Sequence, residues 1–395
     1  MNSDRSLVAV VSPRGAARAQ GGHPWIFRGD VVSGPPPGSD VVAVLDQRRR
    51  LLGSAFWIDP PAPIALRVYL RSREHVPFSE ELLVQRIERA FARREAVAKT
   101  GSAYRLVNGE ADLLPGLFVD RYGEAFTIST ATVAMDRRED QVAALLARQY
   151  QARLVVERND GSLRDQEALP RRKGILRGDA AGSTLVRARE GTTLLELDLL
   201  EDAKTGGFLD QRENHQRAAE LGKGLALDAF AYHGGFALAL ATRASQVTAI
   251  DQNPQAVARA RRNAELSGLA NLEFRVGDSF AELQEMERQG REFDVVVIDP
   301  PALAKRRSDL RAALRDYQEL NLRALRLTRR DGLLVTCSCS GRVTADAFGE
   351  MLVKASQAAR REVAVLERRG AASDHPSLLG VPETDYLKCW FVRVM

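Results

Sequence analysis

The chain has 395 residues, 45% hydrophobic and 28% charged, which suits a soluble globular protein of two or three domains and excludes a peptide, a fibre or a single small module. No apolar run approaches the ~18 residues of a membrane span, and the polar start at residues 1–5 lacks the pattern of a secretory signal, so a cytoplasmic location with no membrane partner is expected. With 57 basic against 52 acidic side chains the net charge is +5, which suits an anionic partner without requiring one, and three cysteines are too few for a secreted disulfide framework.

Short alternating apolar segments at 7–11, 41–45 and 51–56 are punctuated by Gly34-Pro35-Pro36-Pro37-Gly38 and by Asp59-Pro60-Pro61-Ala62-Pro63, and predict a small β-rich domain over residues 1–72. Ser79 is placed to cap an amphipathic helix carrying Leu82, Leu83, Ile87, Ala90 and Phe91. Strands are then predicted at 117–119, 125–129 and 154–157, a helix at 136–150, and a strand pair at 183–190 and 193–199. These elements define an α+β central domain over 73–190, and a self-pairing edge there leaves a homodimer open.

The third domain, 191–395, changes pattern. Apolar strands at 225–229, 247–250, 272–276, 293–298 and 332–336 alternate with helices starting near Gly235, Pro254, Phe280 and Ser308, and two more strands follow near 363–366 and 387–394. Seven strands in this arrangement predict a Rossmann-like, doubly wound sheet of the methyltransferase type. The fold class is therefore multidomain α/β.

Ligands of open α/β sheets bind at the carboxyl ends of the strands. The first strand ends in Asp228, followed by Phe230, Tyr232 and the pair Gly234-Gly235; the second ends in Asp251; the third ends in Gly277-Asp278-Ser279. Asp251 sits where a carboxylate can accept from both ribose hydroxyls, and Asp278 where one can accept from an adenine amine. Neither G-x-G-x-x-G nor a phosphate-loop lysine is present. The set suits an adenosine whose other end is not a pyrophosphate. Taken singly, each acid has the plain alternative of a helix cap and the glycine pair that of a turn. In this order they resemble class I S-adenosylmethionine (SAM) methyltransferases over roughly residues 200–395.

The fourth strand runs into Asp299-Pro300-Pro301, a carboxylate held by two residues of fixed φ. Ala302 follows where amino-methylating enzymes of this class usually place a stacking aromatic residue. The fifth ends in Thr336-Cys337-Ser338-Cys339-Ser340-Gly341. A thiolate there suits pyrimidine chemistry, because its addition at carbon 6 makes carbon 5 nucleophilic toward a methyl donor. Core packing is the alternative for Cys337 and Cys339, and Cys389, in the last strand, reads as core. The three cysteines supply too few ligands at no recognised spacing for a metal.

The segment 332–340 also resembles the nucleophile segment of RNA pyrimidine-C5 methyltransferases, with Cys339 at the nucleophile position. The closer resemblance, over essentially the whole chain, is to the bacterial 23S rRNA cytosine-C5 methyltransferases with an N-terminal PUA domain. It is carried by Gly22-His23-Pro24-Trp25-Ile26-Phe27 after Arg14 and Arg18, by Arg105-Leu106-Val107-Asn108-Gly109-Glu110-Ala111-Asp112, by Leu114-Pro115-Gly116-Leu117 and Val119-Asp120-Arg121-Tyr122, and by Thr205-Gly206-Gly207-Phe208-Leu209-Asp210-Gln211-Arg212. The residues alone read as turns and caps in these places.

The resemblance implies SAM as cofactor, with S-adenosylhomocysteine (SAH) as product, over Gln211, Arg212, Asp228, Phe230, Tyr232, Gly234, Asp251, Asp278, Ser279 and Asp299. It implies catalysis by Cys339 and Asp299, and RNA contacts at Arg14, Arg18, Pro300 and Pro301. The partner would be 23S rRNA or a large-subunit assembly intermediate. A uridine-C5 enzyme acting on rRNA or tRNA, a non-catalytic SAM-binding protein of the ribosome, and a nicotinamide oxidoreductase are the competing readings.

Overall fold

The computed structural model describes residues 7–178, 182–304 and 306–395. The chain forms two compact units, one of Met1–Val186, Asp198–Gly206 and Pro376–Pro382, the other of Arg187–Leu197, Gly207–His375 and Glu383–Met395.

The first unit contains two sheets. Strands β1 (Val8–Val11), β2 (Trp25–Phe27), β3 (Val31–Ser33), β4 (Val41–Leu45), β5 (Leu51–Trp57) and β6 (Ile64–Leu70) order as β2-β6-β5-β4-β1-β3, with β1 and β4 parallel. Alternate residues such as Val42, Val44, Ala55, Leu66 and Val68 fill a core closed by helix α1 (Pro13–Gln20). Ser12 caps that helix by accepting from the Gly15 amide, with Pro13 in the first turn.

The second sheet orders β11-β10-β9-β8-β7 from β7 (Ala103–Asn108), β8 (Leu117–Tyr122), β9 (Ala125–Thr130), β10 (Leu154–Asn159) and β11 (Arg172–Arg177). Helix α2 (Glu80–Arg93) starts at the predicted Ser79 cap and buries Leu83, Ile87 and Ala90. The short α3 (Glu95–Thr100) and α4 (Val133–Asp136) and the longer α5 (Glu139–Gln149) complete this half. Strands β12 (Leu185–Glu190) and β13 (Thr193–Asp198) pair only with each other, as a separate two-stranded ribbon.

The second unit is built on seven strands, β14 (Leu225–Ala229), β15 (Gln246–Asp251), β16 (Leu272–Val276), β17 (Phe293–Ile298), β18 (Thr328–Ser338), β19 (Val363–Arg369) and β20 (Lys388–Val394), in the order β16-β15-β14-β17-β18-β20-β19. The five strands β14 to β18 are parallel and β20 is antiparallel to both neighbours. Successive residues feed opposite cores, as a strand covered on both faces requires. Leu227, Val296 and Leu334 pack with α9 (Ser279–Arg288), α10 (Leu310–Leu327) and α11 (Ala345–Ala359). Ala226, Val295 and Val335 pack with α6 (Arg212–Leu221) and α7 (Gly235–Ala241), while α8 (Pro254–Leu266) joins β15 to β16. The order reverses at β14, between β15 and β17, which makes the carboxyl ends of these strands the switch point.

Candidate active site

Three residues in the five after β14 have left-handed backbones: Phe230 (φ 71°), Tyr232 (φ 48°) and Gly234 (φ 90°). Aromatic residues rarely adopt this conformation. The loop is held by the Ala231 amide on Ile250 O at 2.8 Å and by the Tyr232 amide on Asp251 Oδ2 at 2.8 Å. The Tyr232 and His233 rings stack at 3.8 Å, and burial lowers His233 to about 3, so this imidazole is neutral at physiological pH.

Asp228, fully enclosed at the end of β14, has no hydrogen-bond partner on either carboxylate oxygen. Burial first, and then the charges of Asp299 and Asp251, push its carboxyl well above the usual range. Asp251 is half-buried, and its other oxygen accepts from the Asn253 amide at 2.8 Å. Each of its oxygens keeps a further lone pair. Asp278 is exposed and caps α9 through the Ala281 amide at 2.9 Å, with Ser279 buried as the first helical residue. For Asp278 the cap is thus realised on one oxygen.

Asp299 leaves β17 half-buried and accepts from Gln211 Nε2 at 3.0 Å. Gln211 is oriented in turn, its Oε1 accepting from Asn214 Nδ2 at 2.7 Å, while Asn214 Oδ1 accepts from Arg369 Nε at 3.0 Å. Arg212 is buried in ion pairs with Asp374 at 3.2 Å and Glu213 at 3.0 Å, so its charge is spent inside the protein. Asp210 accepts from the Tyr386 hydroxyl at 2.6 Å.

Cys339 stands on the next strand end, half-buried, with Sγ 4.0 Å from the carbonyl of Pro300. Pro300 is buried and Pro301 exposed. Cys337 is different. It lies opposite Cys389 in the β18–β20 ladder, wholly inside the core, and burial followed by the Cys389 neighbour raises its thiol well above the ordinary value. Of the two candidate thiols, only Cys339 reaches the end of the sheet. Among the described residues no group of three or more His, Cys, Asp or Glu could hold a metal ion.

Residues 9–71 match a PUA-like domain family and residues 224–377 a methyltransferase domain family. Over 381 residues the chain is 34% identical to ribosomal RNA large subunit methyltransferase I of Tolumonas auensis, covering 94% of this chain and 96% of that protein. The counterpart from Shewanella denitrificans is 33% identical over 381 residues, covering 94% and 95%. The chain belongs to the ribosomal RNA large subunit methyltransferase I family. Two solved structures share the fold of this family member across nearly its whole length. One, from Streptococcus mutans and assigned as a SAM-dependent methyltransferase, has a TM-score of 0.79 at 20% identity, covering 98% of this chain and 100% of that one. The other, SMU.776, assigned as a methyltransferase and solved with SAH, has a TM-score of 0.81 at 21% identity with the same coverage.

The motif at residues 105–122 of this family member has a structural role that spacing alone did not give. Glu110 accepts from Trp25 Nε1 and from Arg67 Nη1, both at 2.8 Å. Asp112 takes a two-pronged bond from Arg94 at 2.6 and 2.8 Å. Asp120 binds Arg105 at 2.7 and 2.9 Å and accepts from the hydroxyl of Thr205. Arg14 and Arg18 both lie on α1, away from these pairs; Arg14 binds Asp30 with most of its side chain exposed, and the Arg18 guanidinium covers Phe27. No helix among the described residues is long and apolar enough to cross a membrane.

Residues at the site that the sequence reading missed are Asn214, Tyr317, Tyr386 and Lys388. Lys388 alone carried a signal: it is a charge at the start of the alternating run 387–394, in a chain whose basic residues are mostly arginine. The others act through partners distant in sequence.

Proposed function

We propose that this chain uses SAM to form 5-methylcytidine in 23S rRNA through a covalent adduct of Cys339, with residues 1–72 as a PUA-like RNA-binding domain, 73–190 as a central domain and 191–395 as the methyltransferase domain. The observation that carries the reading is the half-buried Cys339 Sγ, 4.0 Å from the Pro300 carbonyl and therefore one residue from Asp299. Cys339 and Asp299 thus follow the ends of the neighbouring strands β18 and β17, and β17 also pairs with β14, which the strained loop follows.

The residues present fit SAM. The left-handed loop at Phe230, Tyr232 and Gly234 brings backbone close to a ligand, Asp251 keeps lone pairs for ribose hydroxyls, and Asp228 holds a buried carboxyl, raised well above the usual range by burial and by the charges of Asp299 and Asp251. Gln211, Asp278 and Ser279 border the same strand ends. When bound, SAM supplies an electrophilic methyl group.

The Cys339 thiolate would bond to carbon 6 of the base and shift the pair of the ring double bond onto carbon 5, making that carbon the nucleophile for the methyl group that bound SAM would supply. Transfer of the carbon 5 proton to solvent would re-form the ring double bond, break the sulfur–carbon 6 bond and return the thiolate. A carboxylate at Asp299 accepts from the exocyclic amine of cytosine and would face the carbonyl of uracil, which favours cytosine. A base in stacked RNA has to be turned out of the stack to reach Cys339.

The test is transfer of labelled methyl from SAM to unmodified bacterial 23S rRNA, followed by nucleoside analysis, with wild type, Cys337→Ala and Cys339→Ala. Label in 5-methylcytidine, lost with Cys339→Ala and kept with Cys337→Ala, is the expected result. Label in 5-methyluridine would overturn the base assignment. Activity that survives Cys339→Ala would overturn the adduct, and the absence of label with 23S rRNA, assembly intermediates and tRNA alike would favour a non-catalytic role.

A further inference from the structure

A buried cation stands beside Cys339 without a part in the chemistry above. Lys388 opens β20 opposite Ser338 in the antiparallel β18–β20 ladder. It is 6% exposed, in a strand whose other residues are nearly all buried. Its ammonium donates to the carbonyl of Ser340 at 2.7 Å and to that of Tyr386 at 2.8 Å. The charge is therefore fixed against the residue that follows Cys339, and its hydrogen-bond partners are neutral carbonyls instead of a carboxylate. An ammonium costs several kcal/mol to bury, typically more than two carbonyl bonds return. An apolar residue would continue the strand without that penalty.

The residues on either side of Cys339 are held or flanked by three elements. Tyr317 on α10 bonds Ser338 and Ser340 on either side of the cysteine at 3.0 and 3.1 Å. Asp299 precedes the Pro300 carbonyl at the end of β17. Asp385, Tyr386 and Lys388 enter from the start of β20. Of these, Lys388 is the cation. Burial lowers Lys388 to about 8, and the charges that oppose this are first Cys339 and then Asp385.

We propose that Lys388 is a positioning residue whose ammonium holds the Cys339 thiol in its thiolate form and fixes the turn 338–340 in which the sulfur is presented. The inference rests on Cys339 being the nucleophile. A positive charge within reach of a thiol favours the thiolate. Because the lysine itself discharges near pH 8, its support is full below that pH and fades above it, whereas an arginine would keep its charge throughout.

The test is iodoacetamide alkylation of the full-length protein from pH 6 to 10, read at Cys339 by peptide mapping, a measurement that needs neither RNA nor methyl transfer. Cys337 and Cys389 are fully buried and do not compete. For Lys388→Met and Lys388→Gln we expect alkylation at pH 7 about tenfold slower than wild type, with the profile moved up by about one unit. Lys388→Arg should restore the wild-type rate at pH 7. Should both neutral variants fail to fold, Lys388→Arg still decides, because it must hold the Cys339 profile at or below that of wild type above pH 8. Profiles of folded Lys388→Gln that coincide with wild type, or an arginine variant no different from the neutral ones, would overturn the proposal. If alkylation shifts as expected but methyl transfer proves independent of Cys339, the nucleophile reading fails and the electrostatic pairing stands.

Discussion

Gln211 donates to Asp299 across the top of the sheet, Nε2 to Oδ2 at 3.0 Å, from a short turn that precedes β14 in the chain. The bond fixes the rotamer of the carboxylate that precedes Pro300, whose carbonyl lies 4.0 Å from Cys339 Sγ. Gln211 cannot swing away, because Asn214 holds its other end and Asn214 is itself tied to Gly370 and Arg369. A hydrogen bond to a charged group contributes about 1.5–3 kcal/mol. Gln211→Leu should therefore lower kcat/KM for methyl transfer by roughly 10- to 100-fold, while Cys339 alkylation stays within about twofold of wild type. Single-turnover methylation beside thiol alkylation separates the two. Equal loss of both would mean that the substitution disturbs the whole sheet end and not the Asp299 contact.

Asp228 gives a stability prediction with a definite sign. Its carboxyl is raised in the folded state, so below about pH 4 it is neutral in folded and unfolded chains alike. Above that pH the unfolded chain releases the proton and the folded chain keeps it, and stability falls with rising pH until the folded pKa is passed. The slope is at most roughly 1.4 kcal/mol per pH unit. Asp228→Asn has no such titration. Its urea midpoint for unfolding of the second unit should match wild type near pH 4 and exceed it increasingly as the pH rises toward the raised folded pKa, with the contributions of all other groups cancelling in the difference. A constant difference across that range would show that Asp228 is ionised in the folded protein.

In the seven-stranded sheet β14, β15 and β17 were legible because each is a short, mostly buried apolar run with an aspartate at or beside its end, which leaves no polar alternation to confuse with a helix. Strand β6 escaped because Arg67 interrupts Ile64–Leu70; the charge is buried and satisfied by Glu110 and Glu167, residues far off in sequence. Helix α1 escaped because its eight residues of Pro, Arg, Gly, Ala and Gln carry no stripe of large apolar side chains. The positions of Asp228, Asp251, Asp299 and Cys339 at or beside strand ends could be read from strand order alone. The roles of Gln211, Arg212 and Lys388 could not, since each depends on a partner across the fold: Asp299, Asp374 and the Ser340 carbonyl.

The same long-range logic gives a prediction in the first unit, where Glu110 joins the Trp25 indole to the buried Arg67. Arg67 reaches Glu167 at 2.9 Å, and Glu167 accepts from the Val133 amide at 2.8 Å, so five segments meet in one network. Glu110 is 7% and Arg67 4% exposed, so water does not replace a lost partner. Glu110→Ala removes one of two carboxylates from a buried guanidinium and leaves the indole N–H unpaired, which should cost about 3 kcal/mol. Glu110→Gln keeps an acceptor oxygen for one of the two donors and should cost less. Trp25→Phe leaves the ion pair intact and should cost about 1.5 kcal/mol, the low end for a bond to a charged group, because Trp25 is only half-buried. Urea unfolding of the three variants measures the ranking. A Glu110→Ala protein as stable as Trp25→Phe would show that Glu167 alone satisfies Arg67 and that the Glu110 carboxylate is dispensable to the network.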